Sequence, residues 1–94
     1  MQLKFTWNPA KAEKNLREHG VSFTEAATAF GDKFGRYRQD KDHLDRAILI
    51  AKSGEGRMLF VVHIELFDMD TIHIISARKA SRAQRLRYEE EQDE

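Results

Sequence analysis

The apolar positions of this chain change period several times, and each change marks a predicted element. Leu3-Lys4-Phe5-Thr6-Trp7 alternates apolar and polar residues with aromatic enrichment, which predicts a short first strand. Asn8-Pro9 has the order of a helix start, with Asn as the cap and Pro at the first helical position. A mostly polar surface helix is expected to about His19, ended by Gly20, which adopts a left-handed backbone cheaply. Ser22-Phe23-Thr24-Glu25 has the form of a capping box: the Ser22 hydroxyl accepts from the Glu25 amide, and the Glu25 side chain reaches back to Ser22. Phe23, Ala26, Ala27 and Phe30 then recur at helical spacing until Gly31.

Residues 32–45 are polar, mixed in charge and without clear period, and read as loop with room for a short strand near Phe34–Arg38. Two strands follow, Arg46–Lys52 and Met58–Leu66, joined by Ser53-Gly54-Glu55-Gly56, whose glycines supply the positive φ of a hairpin loop. Thr71–Ala77 is β-branched and returns from a Phe-Asp-Met-Asp loop as a second hairpin. Ser81 and Gln84 make another capping box before a charged helix. Acidic residues at the end of that helix oppose its dipole, so the tail, about residues 89–94, is expected to fray. The order β-α-α-β-β-β-α predicts one α+β domain over residues 1–94, with an antiparallel sheet and helices packed on one face.

Size and charge narrow the function classes. At 94 residues the chain suits one core, burying somewhat over ~60% of the surface its unfolded form exposes, so an open face or shallow cleft is expected rather than an enclosed cavity. It has no cysteine, which removes disulfides and thiolate metal sites as supports. No apolar run approaches a membrane span and the first residues lack a signal core, so a cytoplasmic protein without membrane contact is expected. The net charge of zero conceals an asymmetry. Residues 1–88 hold all 16 Lys and Arg against 11 Asp and Glu, a net of +5, and the remaining acids sit in the tail.

The two long strands carry the candidate chemistry. In Met58–Leu66 one face reads Phe60, Val62, Ile64, Leu66 and the other Leu59, Val61, His63, Glu65. In Thr71–Ala77 one face reads Ile72, Ile74, Ser76 and the other Thr71, His73, Ile75, Ala77. Matching apolar faces sets Ile64 opposite Ile72 and Val62 opposite Ile74, and therefore His63 opposite His73 and Glu65 opposite Thr71. This predicts two imidazoles and a carboxylate on the sheet face turned away from the helices. Arg57 begins one strand and Arg78 ends the next, which puts both at one edge of the sheet. Metal-independent RNA cleavage uses such groups: a base for the 2′-hydroxyl proton, an acid for the leaving oxygen, and cations for the charge building on phosphorus. Histidine suits either proton role and arginine suits phosphate. Lys79, Arg82 and Arg85 would hold the RNA backbone electrostatically.

Plainer readings compete at each position. A cross-strand His pair is commonly just solvated, and Arg82, Arg85 and Arg87 also read as a solvated helix face. His19 complements the negative end of its helix. His43 among Asp40, Asp42 and Asp45 lacks ligand spacing and reads as a wet acidic loop, so neither metal nor cofactor is expected. Trp7 reads as core or edge packing.

Together the residues resemble the BrnT family, the toxin half of a bacterial type II toxin–antitoxin pair. The matching features are Phe5-x-Trp7-Asn8-Pro9-x-Lys11, Asn15, His19-Gly20-Val21-x-Phe23, Ala26-Ala27, Phe30-x-Asp32, Asp42-His43, Arg46, Gly56-Arg57, Ile72–Ala80, Arg85 and Tyr88-Glu89. The resemblance implies a RelE-like fold and metal-independent endoribonuclease activity that inhibits translation. It also implies a BrnA-like antitoxin whose DNA-binding part represses the shared promoter, the toxin itself not binding DNA directly. The chain departs from the family pattern at three points: Asn8 replaces the usual Asp, Gln84 a common Glu, and His73 the usual Arg. The first two retain capping ability; the third touches the expected site. Arg57, His63, Glu65, His73 and Arg78 are thus the candidate catalytic set. The competing classes are a non-catalytic module that binds a DNA-binding partner and a non-catalytic RNA binder.

Overall fold

The computed structural model describes residues 3–66 and 70–92. Phe67–Met69 of the second hairpin loop and Asp93–Glu94 of the acidic tail lie outside the described residues. The elements are β1 (Lys4–Thr6), α1 (Pro9–His19), α2 (Phe23–Thr28), a 3₁₀ turn (Ala29–Gly31), β2 (Arg36–Gln39), β3 (Ala47–Lys52), β4 (Met58–Glu65), β5 (Thr71–Lys79) and α3 (Arg82–Gln92). The α+β class is as expected, and the short strand near residue 36 is β2.

The strands form one sheet in the order β1-β5-β4-β3-β2. Hairpin connections make β2 through β5 antiparallel, whereas β1 runs parallel to β5. A wholly antiparallel sheet is therefore not what forms. The chain leaves β1 through α1 and α2 and re-enters at the far edge, so no hairpin dictates the direction of β1.

Local chemistry fixes the helix ends. The Asn8 side chain accepts from the amides of Ala10 (2.9 Å) and Lys11 (3.2 Å), and Gly20 closes α1 at φ 70°. Ser81 and Gln84 form a reciprocal box at 3.2 and 2.8 Å. The box at α2 is half made. Ser22 accepts from the Glu25 amide at 3.0 Å, but the Glu25 carboxylate is used elsewhere. In the first hairpin only Gly56 has positive φ, at 82°.

Both sheet faces are covered, and the helices do not share one. Leu49, Ala51, Leu59, Val61, Ile72, Ile74 and Ala77 bury with Val21, Phe23, Ala26 and Ala29 under α1 and α2. On the opposite face Ile48, Ile50, Met58, Phe60 and Val62 pack with Tyr88 of α3. The expected assignment of faces in β4 is thus inverted, because both faces of β4 are apolar and alternation alone could not rank them. The expected register also fails. His63 pairs with Ile74, Ile64 with His73 and Glu65 with Ile72, while Val62 pairs with Ser76. A bulge leaves Ile75 unpaired and reverses the side-chain alternation of β5 at that point.

Two polar ties hold the layers. Buried Asn15 on α1 donates to the carbonyls of Val21 (2.9 Å) and Ala77 (2.8 Å) and accepts from the Ala77 amide (3.1 Å). β1 covers β5 only from Thr71 to His73, so the Asn15 amide acts as the missing strand for Ala77. Across the sheet edge, the Tyr88 hydroxyl of α3 donates to Asp32 at 2.5 Å, and Asp32 also accepts from the amides of Lys52 (2.8 Å) and Phe34 (2.9 Å). Burial would raise the Asp32 carboxyl, but these hydrogen bonds together hold it below its ordinary value.

Asn15→Ala strands three backbone groups and should lower unfolding free energy by about 2–4 kcal/mol in urea titrations, with a loss below about 1 kcal/mol meaning that water replaces the amide. Asp32→Asn should cost about 1–2 kcal/mol at pH 7. A carboxyl depressed in the folded state adds stability above its unfolded value, near ~3.9, and loses it as pH falls through the folded value. The gap between parent and Asp32→Asn should therefore close in acid, which denaturation at pH 7 and pH ~2.5 checks directly.

Candidate nucleic-acid interface

The pleat sorts charge between the two faces. Among the described residues, the strands contain six Lys and Arg, and Lys4, Arg36, Arg38, Lys52 and Arg78 alternate with core positions so that they fall on the α3 side. Lys79 and the one strand acid, Glu65, fall on the α1–α2 side. The α3 side of the sheet thus gathers five strand cations and no strand carboxylate.

Phe60 is the centre of that surface. The Arg78 guanidinium lies 3.9 Å from its ring centroid and that of Arg38 lies 5.8 Å away. Arg78 Nη1 also donates to the Lys79 carbonyl (3.1 Å) and to Gln84 Oε1 (3.3 Å), so the box residue that starts α3 orients it. Two open hollows flank the stack. One of about 340 Å³ lies between β2 and α3 and is lined by Arg36, Arg38, Gln84, Arg87 and Tyr88. The other, of about 490 Å³, lies at the first hairpin and is lined by Lys52, Arg57, Lys79, Arg85 and Glu89. Planar guanidinium groups beside an aromatic ring can bind phosphate and stack on bases.

The predicted catalytic residues do not converge. His63 is wholly buried on the α1–α2 side, its ring centroid 4.8 Å from that of Phe30 and 6.0 Å from that of Tyr37. His73 lies on the other face, half-buried, with Nδ1 2.8 Å from Thr6 Oγ1. The expected side-by-side imidazoles are therefore absent from either surface. The bulge and the inverted faces of β4 are the reason. Burial pushes the His63 imidazole below its ordinary value, which keeps the ring neutral. Glu65 is half-exposed at the far end of β4, its Oε1 4.0 Å from His63 Nε2. Arg78 pairs with Phe60 and His73 with Ile64, so the two stand four residues apart along β4, about 13 Å.

Arg57 and Arg78 share one end of the sheet but lie on opposite faces. Arg57 is engaged structurally: Nε donates to Glu25 Oε2 at 2.9 Å, and Nη2 bonds Glu25 Oε1 and the Gly20 carbonyl, the latter at 3.0 Å. The Ser53 hydroxyl donates to the same carboxylate at 2.7 Å. The Arg57 fork holds the buried Glu25 carboxyl below its ordinary value, and that carboxylate raises the guanidinium in return. Lys79, Arg82 and Arg85 are exposed, as a backbone-holding role requires. Residues overlooked in the sequence are Arg36, Arg38 and Phe60. The signal was present: Arg36-Tyr37-Arg38 alternates cation, aromatic, cation, which in a strand puts both cations on one face.

Among the described residues no group of His, Asp and Glu has the arrangement of a metal site, and no helix is long and apolar enough to cross a membrane. Comparison with curated proteins gives no match. Among solved structures, the chain is similar to the crystal structure, at 1.1 Å resolution, of the Brucella abortus ribonuclease toxin BrnT. The TM-score is 0.69 at 20% identity, covering 86% of this chain and all of the other, and the likeness is one of fold. The family model described as the ribonuclease toxin, BrnT, of type II toxin–antitoxin systems matches residues 7–84. With that match spanning most of its length, the chain belongs to the BrnT family of ribonuclease toxins.

Proposed function

We propose that this protein is a metal-independent endoribonuclease that arrests translation in the cytoplasm. A BrnA-like antitoxin neutralises it, and the DNA-binding part of that partner represses their shared promoter. The observation that carries the RNA-cleaving part is the segregation of strand cations onto one sheet face around Phe60. RNA lies across that face. Arg78, held by Gln84 and stacked on Phe60, binds phosphate, while Lys79, Arg82 and Arg85 hold the flanking backbone. His73 on that face is half-buried against Thr6, and Glu65, at the end of β4 on the opposite face, is the exposed carboxylate that serves as a proton-transfer group. Arg57 acts from below, by pinning the first hairpin to α2 through Glu25.

The scatter of His63, His73 and Arg57 favours a second reading, an interaction module without catalysis that binds a DNA-binding partner through the same surface. Induced expression separates the two. The ribonuclease arrests growth and degrades cellular RNA, and purified protein cleaves RNA in EDTA. A chain that is harmless and leaves RNA intact is the module. Arg78→Ala should relieve the arrest, weaken RNA binding roughly uniformly across sequences and reduce its salt dependence by about one counterion, with little change in melting temperature. Arg57→Ala should instead lower the melting temperature markedly, since it leaves Glu25 buried without its partner. Thermal melts of the two variants check this division of roles.

A further inference from the structure

The buried histidine is the most conspicuous group that the cationic face leaves unused. Its Nδ1 lies 3.3 Å from the Val61 carbonyl oxygen. A carbonyl oxygen only accepts, so Nδ1 carries the proton and, in the neutral ring, Nε2 is bare. Among the described residues Nε2 has no hydrogen-bond partner, although no part of His63 is exposed. A bare buried nitrogen is costly unless a donor arrives. The Glu65 carboxylate lies 4.0 Å away and, as an anion, has no proton to donate.

Glu65 opens onto a hollow of about 370 Å³ lined also by Tyr37, Arg38, Gln39, Leu44, Asp45, Arg46 and Ala47. The Nε of Arg46 is likewise buried without a partner among the described residues. Tyr37 is 54% exposed, and burial of the rest of it, with Glu65 and Asp32 nearby, pushes its phenol up, so it holds its proton at neutral pH. Arg38 lines this hollow and also reaches the Phe60 ring, so the hollow adjoins the cationic face at the β2 edge.

We infer that this hollow is the proton-transfer centre, with Glu65 as general base, Tyr37 as general acid, Arg46 and Arg38 as phosphate ligands, and His63 as a positioning residue behind Glu65. The inference rests on the ribonuclease reading and deepens it. The Glu65 carboxylate takes the 2′-hydroxyl proton as O2′ bonds to phosphorus. The P–O5′ bond breaks and O5′ takes the Tyr37 proton, leaving a 2′,3′-cyclic phosphate and a 5′-hydroxyl. Water then reprotonates the phenolate and accepts the proton from Glu65. Once Glu65 is protonated it becomes a donor, and the bare Nε2 of His63 is the acceptor waiting for it. The partnerless nitrogen is satisfied only in the state that catalysis creates.

Single-turnover cleavage of a labelled single-stranded RNA, with and without ribosomes, tests this on the full chain, with RNA binding followed by anisotropy. Glu65→Gln and Tyr37→Phe should each reduce the rate about 100-fold or more with binding nearly unchanged. His63→Leu, which keeps the packing against Phe30, should lower the single-turnover rate about 10-fold at unchanged RNA binding, and His63→Gln, which restores an acceptor, should recover part of it. If the parent cleaves, Arg78→Ala does not, and both Glu65→Gln and Tyr37→Phe cleave within threefold of the parent, the hollow is not the centre while the ribonuclease reading stands. If the parent leaves RNA intact, both fall. The nitrogen chemical shifts of His63 give a readout independent of folding of the variants. A protonated Nε2 in the unaltered protein at neutral pH overturns its role.

Discussion

The burial of Leu59, Val61 and His63 beneath α1 and α2 sets the direction of every neighbouring side chain in the sheet. Once those positions of β4 face the main core, pairing carries the constraint outward: Leu49 and Tyr37 to one side, Ala77 and Ile74 to the other. The alternate positions, Phe60 and Val62, are then committed to the opposite face, together with Arg36, Arg38 and Arg78. A strand has only two faces, so a core decision on one is a surface decision on the other. The cationic surface follows from core packing.

Buried and half-buried polar groups give the layers their fixed relation. Asn15 supplies the hydrogen bonds that β1 is too short to make, Glu25 holds Arg57, and Asp32 receives Tyr88. Each tie joins segments far apart in sequence, and each is satisfied several times over, so loss of one partner leaves another exposed to the cost of burial without a bond. Arg57 illustrates the consequence for function. A cation beside a cleft is usually read as a ligand for anions, but here its fork is already matched to an internal carboxylate, and it ties the first hairpin to α2 and Gly20.

The edge strand β2 links the two surfaces. Arg36 and Arg38 point to the Phe60 side, whereas Tyr37 points to the His63 side, and the hollows on either side of β2 share Tyr37 and Arg38. Charged side chains on an exposed edge also discourage strand-to-strand association. A single short strand thereby carries two guanidinium groups on one face and a phenol on the other. A chain of this size has little interior to spare, and using both faces of an edge strand places several functional groups without opening the core.

Local signals were sufficient for the elements of this protein. Asn8-Pro9, Gly20, Ser22 and the Ser81–Gln84 box mark helix ends whose capping atoms are within a few residues, and the hairpin at Gly56 is equally local. The family likeness, too, was legible from the order of short motifs. What a linear reading could not decide was which face of β4 meets the helices. Phe60, Val62 and Ile64 are as apolar as Leu59 and Val61, and the choice depends on α3 and Tyr88 arriving to cover part of the former. The bulge at Ile75 compounded this, because an inserted residue reverses alternation and moved His73 away from His63. Composition and capping are properties of neighbours along the chain. Face and register are properties of neighbours in space, and the positions of the two histidines depended on the second kind.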